Sequence, residues 1–213
     1  MIAIVDYKKG NLKSVERGIA AAGGDALVTS DAGQIARADA IVLPGVGAFA
    51  DAVATMNELG QMDAIRQRVA DGAPFLGICL GLHLMFEAGV EGASADAPAQ
   101  GLGLIPGVVE KMPRLDASGK AFKVPHVGWN SVELSASGEA CPIFEGIDSG
   151  EYFYFTHSYI APENDFAVAR TTHSVTFPCA VQKGQAFGVQ FHPEKSSDAG
   201  ARVLRNFVQV AKS

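Results

Sequence analysis

The chain has 213 residues, 48% of them apolar and 19% charged, with a net charge of −6 and a pI of about 5.3. That balance excludes an intrinsically disordered chain, and without a Lys/Arg cluster nucleic-acid binding has no electrostatic footing. No apolar run is long enough to span a bilayer, and the length suits one α/β domain over 1–213 with a sizeable core.

In chain order, Ile2 to Val5 is an apolar run that reads as a buried first strand. The segment from Met1 lacks the basic start and long apolar stretch of a signal peptide. Leu12, Val15, Ile19 and Ala22 keep helical spacing up to Gly23-Gly24. Ala26 to Thr29 and Ala40 to Leu43 read as short strands, and Phe49 to Leu59 and Met62 to Ala70 as helices. Pro74 to Cys79 reads as a further strand. Strands alternating with helices imply parallel βαβ units, with a sheet covered on both faces. Residues 89–100 are rich in Gly, Ala, Ser and Pro and read as a loop. From Leu104 onward the pattern turns to short strands and turns, with aromatics crowded between Tyr152 and Tyr159. Phe187 to Phe191 reads as a strand, and Asp198 to Val210 as a closing helix.

Three cysteines, Cys79, Cys141 and Cys179, are widely spaced. The odd count predicts reduced thiols and a cytoplasmic protein. No metal-ligand spacing is present, so neither metal nor cofactor is expected.

Cys79 stands in Phe75-Leu76-Gly77-Ile78-Cys79-Leu80-Gly81-Leu82-His83-Leu84-Met85-Phe86. An apolar strand leads in and a helix-compatible stretch leaves from Leu80. Glycines two residues to either side permit a sharp turn with close backbone approach, the layout of a nucleophile elbow with sulfur in place of oxygen. The positive end of the following helix favours a thiolate there. A buried structural cysteine is the other reading. A thiolate nucleophile needs a base, and the base an orienting acceptor. Phe187-Gly188-Val189-Gln190-Phe191-His192-Pro193-Glu194-Lys195 offers both. His192 falls at the strand end, where Pro193 forbids continuation, and Glu194 stands two residues on.

Gly77-Ile78-Cys79-Leu80-Gly81 with Phe191-His192-Pro193-Glu194 resembles the class I, triad-type glutamine amidotransferases. Four more runs resemble one branch of that family, the glutaminase subunits of imidazole glycerol phosphate synthase. They begin at Asp6-Tyr7-Lys8-Lys9-Gly10-Asn11, Leu43-Pro44-Gly45-Val46-Gly47, Pro125-His126-Val127-Gly128-Trp129-Asn130 and Tyr154-Phe155-Thr156-His157-Ser158-Tyr159. The resemblance implies a flavodoxin-like α/β fold, a mostly parallel twisted sheet flanked by helices with additional antiparallel strands. It also implies hydrolysis of L-glutamine by Cys79, His192 and Glu194. The ammonia would pass to a (β/α)8-barrel cyclase subunit in a heterodimer of histidine biosynthesis.

An elbow enzyme supplies one oxyanion donor from the residue after the nucleophile, here Leu80. The glycines of Pro44-Gly45-Val46-Gly47 suit a second, and the resemblance implies that Val46 and Gly47 form a switchable element. It also implies Glu91 against the glutamine ammonium and Ser158 and Tyr159 near its carboxylate. Four residues past the nucleophile the family usually carries Gln, where this chain has His83. His83 either contacts glutamine or packs beside the pocket. A ligating imidazole with an ordinary pKa near 6.5 would make glutamine affinity pH-dependent. Asn11, Ser14, Trp129 and Lys195 fall where the family meets its synthase partner. Two rivals are the glutaminase subunit of another synthase, such as that for anthranilate or pyridoxal phosphate, and a degenerate amidotransferase kept as a regulatory module.

Overall fold

A computed structural model describes residues 1–94 and 96–213. In chain order the elements are β1 (Ile2–Val5), α1 (Leu12–Ala21), β2 (Ala26–Thr29), α2 (Ala32–Ile35), β3 (Ala40–Gly45), α3 (Phe49–Glu58) and α4 (Gln61–Ala70). Then come β4 (Phe75–Cys79), α5 (Leu80–Leu84), β5 (Phe86–Ser94), β6 (Ala97–Gln100) and β7 (Ile105–Lys111). The rest are β8 (His126–Leu134), α6 (Ala136–Glu139), β9 (Glu151–His157), β10 (Tyr159–Ile160), β11 (Ala167–Thr172), β12 (Thr176–Lys183), β13 (Ala186–Val189) and α7 (Ser197–Val210). Single 3-10 turns cover Pro142–Phe144 and Pro193–Lys195.

The main sheet has nine strands in the order β2-β1-β3-β4-β13-β12-β11-β8-β9. The first five are parallel, and 2-1-3-4 followed by a fifth strand is the flavodoxin-like order. From β13 outward every pairing is antiparallel. The sheet is therefore mixed, with an antiparallel half as large as the parallel one. A second sheet, β10-β7-β5-β6, packs beside it.

Strand alternation explains the two-sided core. Ile2 and Ile4 on β1 face α1 and α7, joining Val15, Ile19, Leu204 and Phe207. Ala3 and Val5 face the opposite side, with Ile35, Ala52, Met56 and Ile65 of α2, α3 and α4. All four β1 residues are buried, because a strand covered on both faces has no solvent side.

Three expectations need correction. The loop expected over 89–100 is instead largely β5 and β6, with Ala95 outside the described residues. Its small residues hide the strand pattern because they fit under α3. A Cβ on Gly89 would come within 2.6 Å of the Phe49 ring. The helix leaving the elbow also stops at Leu84, though the apolar run continues. The amides of Leu102 and Leu104 take the carbonyls of Leu84 and Met85 at 2.7 and 2.8 Å, drawing the chain into β5. β13 ends at Val189, two residues early: the Gln190 amide turns to the Cys179 carbonyl and the His192 amide to that of Tyr154.

Candidate active site

Cys79 closes β4 at the carboxyl edge of the parallel strands, where ligands of open α/β sheets gather. Its own backbone carries the strain, with φ 55° and ψ −106°. Such a conformation is rare for a residue with a Cβ and clusters at functional sites. Gly77 and Gly81 have ordinary φ and serve close packing instead. A Cβ on Gly81 would overlap the Leu43 carbonyl oxygen, and one on Gly77 would lie 2.5 Å from the Gly81 oxygen. The elbow thus lets α5 lie directly on β3. α5 has only five residues, so its macrodipole is a small term at the sulfur.

His192 leads into the 3-10 turn, with Pro193 at its first position, where a missing N–H costs nothing. Ser196 pins this corner: its hydroxyl donates to the His192 carbonyl at 2.7 Å and accepts from the Tyr154 amide at 3.0 Å. His192 Nδ1 donates to Glu194 Oε1 at 2.9 Å, and both side chains are almost fully buried. Burial opposes charging the ring. The neighbouring Cys79 sulfur and Glu194 carboxylate outweigh it and raise the imidazole pKa to about 9. Nε2 meets no fully formed hydrogen bond among the described residues, although the Cys79 sulfur lies close enough to favour the charged ring. The other two thiols differ. Burial, the largest cause, pushes Cys141 up to about 11 and Cys179 further, which makes them poor nucleophiles.

The sulfur opens on a cavity of about 390 Å³ lined by Val46, Gly47, Leu80, His83, Glu91, Thr156, Ser158 and Tyr159, among others. That volume is in the range of small-ligand sites. All the residues expected at the oxyanion hole and the glutamine pocket therefore border one cavity. Glu91 lies on β5 rather than in a loop, and burial raises its pKa. Gly47 has φ 99°, a conformation that favours glycine. Behind Gly45 the Tyr7 hydroxyl is fully buried and meets no hydrogen-bond partner among the described residues. The Val46 amide is near enough to favour its ionised form slightly but falls short of a hydrogen bond.

His83 is buried, and its Nε2 lies 2.7 Å from Gln190 Oε1. Burial lowers its pKa to about 4, against the pull of the Gln190 amide and the Tyr159 carbonyl. The expectation of a pocket histidine titrating near 6.5 is thereby corrected: this ring stays neutral throughout the working range.

Sequence reasoning missed a histidine wall beside the pocket. His157 Nδ1 is 2.9 Å from the Tyr159 carbonyl oxygen, so it donates there and its Nε2 accepts. That Nε2 is 3.1 Å from His126 Nδ1, which must donate. A second proton on His157 would set two N–H groups against each other. Burial first, then neighbouring imidazoles, lowers His157 to about 3 and His126 to about 4. Gln190 and Thr156 were also missed. The strand pattern marks Gln190 only as a polar residue in an apolar run, and Thr156 contributes its backbone carbonyl.

The residues expected at a partner surface lie apart from the cavity lining. Trp129 on β8 is 50% exposed and meets Tyr154 of edge strand β9 edge-on at 6.2 Å. Lys195 Nζ stands 5.9 Å over the Tyr154 ring. Asn11 precedes α1 and Ser14 lies on it, bonded to Arg17; α1 abuts the 3-10 turn that carries Lys195. Among the described residues no group of three or more His, Cys, Asp or Glu side chains could hold a metal ion, and no helix is long and apolar enough to cross a membrane.

A buried Cys–His–Glu set at the carboxyl edge of such a sheet matches one known class. Residues 3–211 match the family model for class-I glutamine amidotransferases, and the chain belongs to that family. Curated relatives narrow the branch. The chain is 42% identical to "Imidazole glycerol phosphate synthase subunit HisH" of Caldanaerobacter subterraneus subsp. tengcongensis, over 100% of this chain and 99% of the relative. It is 45% identical to the protein of that name from Moorella thermoacetica, over 99% and 95%. The Methanothermobacter thermautotrophicus protein, again of that name, is 44% identical over the full length of both. Among solved structures, one described as a glutamine amidotransferase superposes with a TM-score of 0.74 at 19% identity, over 100% of this chain and 99% of that one. The glutaminase domain of Trypanosoma brucei CTPS superposes at 0.68 with 17% identity, over 99% and 93%. At those identities the likeness is one of fold.

Proposed function

We propose that Cys79, His192 and Glu194 carry out the glutamine hydrolysis of this glutaminase, within one domain spanning 1–213. The protein is a class-I glutamine amidotransferase that hydrolyses L-glutamine and supplies ammonia to the cyclase subunit of imidazole glycerol phosphate synthase in histidine biosynthesis. The observation that carries the residue assignment is the strained Cys79 at the cavity that all the pocket residues border, with the Glu194-bound imidazole as its neighbour.

The sulfur attacks the side-chain carbonyl carbon of glutamine, and the carbonyl electrons move to oxygen. The Leu80 amide, and one from Val46 or Gly47, stabilise that oxyanion. As the tetrahedral species collapses, the C–N bond breaks and His192 delivers its proton to the leaving nitrogen, releasing ammonia. Its raised pKa means the ring holds that proton at neutral pH. The neutral ring then takes a proton from water, whose oxygen attacks the thioester carbon. The C–S bond breaks, leaving glutamate and restoring the sulfur. Glu194 orients the ring and stabilises its charge throughout. In the same reading Glu91 meets the glutamine ammonium, Ser158 and Tyr159 meet its carboxylate, and Asn11, Ser14, Trp129 and Lys195 face the cyclase. Cytoplasmic residence suits its free thiols.

The test is Cys79→Ser in the assembled complex. Glutamine-dependent turnover should be lost, while cyclase turnover fed with ammonium salts should survive. Glutamine hydrolysis near the parent rate would overturn the assignment.

A further inference from the structure

Gln190 is fully buried and lies between two groups of the site. Its Nε2 points at Cys79 Sγ, 3.7 Å away, and its Oε1 at His83 Nε2, 2.7 Å away. The second protein contact of the sulfur is the Thr156 carbonyl oxygen, at 3.9 Å. These two neighbours suit opposite states of the sulfur. A carbonyl accepts from a thiol and offers nothing to a thiolate, whereas an amide N–H donates to a thiolate. The amide direction is in turn set by His83. With Oε1 facing Nε2, the neutral ring must carry its proton on Nε2 and donate it.

We propose that Gln190, held by His83, is a positioning residue that donates to the Cys79 thiolate, and that His83 acts through Gln190 rather than as a glutamine ligand. The inference rests on Cys79 being the nucleophile and deepens that reading. One charged neighbour also bears on the sulfur, the His192 ring, which favours the thiolate; the buried Tyr7 hydroxyl, its pKa raised by burial, stays neutral. Gln190 adds a neutral donor that does not titrate, so its contribution persists at every pH where the thiolate exists. An amide in place of the His83 ring can donate to Gln190 in the same way. This removes the apparent conflict between a histidine here and the Gln usual in the family.

The experiment reads the sulfur directly. Iodoacetamide alkylation of Cys79 is followed by mass spectrometry from pH 6 to 11 in the full chain, beside the glutaminase kcat and KM of the complex. Gln190→Leu should alkylate about tenfold more slowly at pH 7, the equivalent of about 1.4 kcal/mol of lost charge-assisted bonding. The deficit should close as the pH rises, because a more basic solution ionises the sulfur with or without its amide donor. His83→Leu should shift the profile the same way by a smaller factor, and His83→Gln should restore the parent profile. In both leucine variants kcat should fall while KM stays within about twofold, since no glutamine contact is lost. A parent-like profile in Gln190→Leu would overturn the proposal. So would His83→Gln behaving as His83→Leu, or a KM rise with unchanged kcat in His83→Leu. Should Gln190→Leu fail to fold, as judged by its melting transition, the two His83 variants decide alone. Loss of the parent's own glutaminase reading would strike the nucleophile assignment, whereas the alkylation profile reports on the sulfur's neighbours independently of turnover.

Discussion

The histidine wall predicts acid lability well above the pH at which carboxylates titrate. In the folded chain His83, His126 and His157 stay neutral down to about 4, 4 and 3. Unfolded, each titrates near 6.5, so as pH falls the unfolded chain takes up protons that the folded chain refuses. The sign is therefore destabilising, and it begins at the unfolded value. Between pH 7 and 5 the linkage amounts to about 2 kcal/mol each for the deeply buried His83 and His157. For His126, whose ring lies in a shallower part of the wall, about 1 kcal/mol is the discounted share. His192 works the other way: its raised pKa returns about 1 kcal/mol over the same interval. The net loss of about 4 kcal/mol should lower the melting temperature by roughly 10 °C in a chain of this size. Thermal unfolding followed by circular dichroism at constant ionic strength measures it. His157→Gln keeps a donor for the Tyr159 carbonyl and an acceptor for His126 but cannot titrate, so it should recover about half of the loss. A melting temperature that moves by less than about 2 °C between pH 7 and 5 would refute the reasoning, as would a His157→Gln variant with the parent's full acid sensitivity.

Further outcomes follow from the elbow, the base and the loop. Gly81→Ala drives a methyl into the Leu43 carbonyl oxygen and should cost about 3 kcal/mol in denaturant unfolding, whereas Gly103→Ala, with open space at its Cβ and φ 68°, should cost about 1 kcal/mol. Similar midpoints for the two would contradict the close packing of α5 on β3. His192 serves as proton donor only while charged, so kcat should fall as pH rises through about 9, and the stability that its raised pKa lends, complete below 6.5, should disappear over the same climb. A kcat flat to pH 10.5 would remove it from that role. If the Gly45 to Gly47 loop withholds one oxyanion donor until the partner binds, adding the cyclase and its nucleotide should raise glutaminase turnover about 10²–10³-fold, and equal rates with and without the cyclase would exclude gating at this loop.

What the sequence made legible divides along the sheet. In the parallel half the inner strands are buried on both faces, so Ile2 to Val5, Ala40 to Leu43 and Phe75 to Cys79 stand out as apolar runs next to helical periods. The nucleophile lies in that half and was readable from glycine spacing, although the structure gives those glycines a packing role and leaves the strain on Cys79 itself. The antiparallel half is harder. Strand β9 alternates Phe153, Phe155 and His157 inward, and a histidine in an inward position looks like any polar residue until its partners are known. Those partners, His126 and the Tyr159 carbonyl, come from β8 and β10, and no local pattern encodes their meeting. β5 was hidden for a related reason: its Gly89 fits beneath Phe49, a contact 40 residues away in sequence.

The same division bears on how the site can fail. Cys79 and the Gly45 to Gly47 loop belong to strands packed on both faces by apolar cores. The opposite wall, from Thr156 to Tyr159, is held by neutral imidazoles whose tautomers are fixed by single bonds at 2.9 and 3.1 Å. Acid acts on this wall and also on His83, which lies on α5 just past the elbow. Protonation that loosens β8 against β9 would move the Thr156 carbonyl and the Ser158 and Tyr159 pocket edge. Because Ser196 ties the Tyr154 amide to the His192 carbonyl, the base rides with the acid-sensitive wall rather than with the nucleophile. The distance between sulfur and imidazole is thus set by the packing of the two halves of one sheet, across the parallel pairing of β4 with β13.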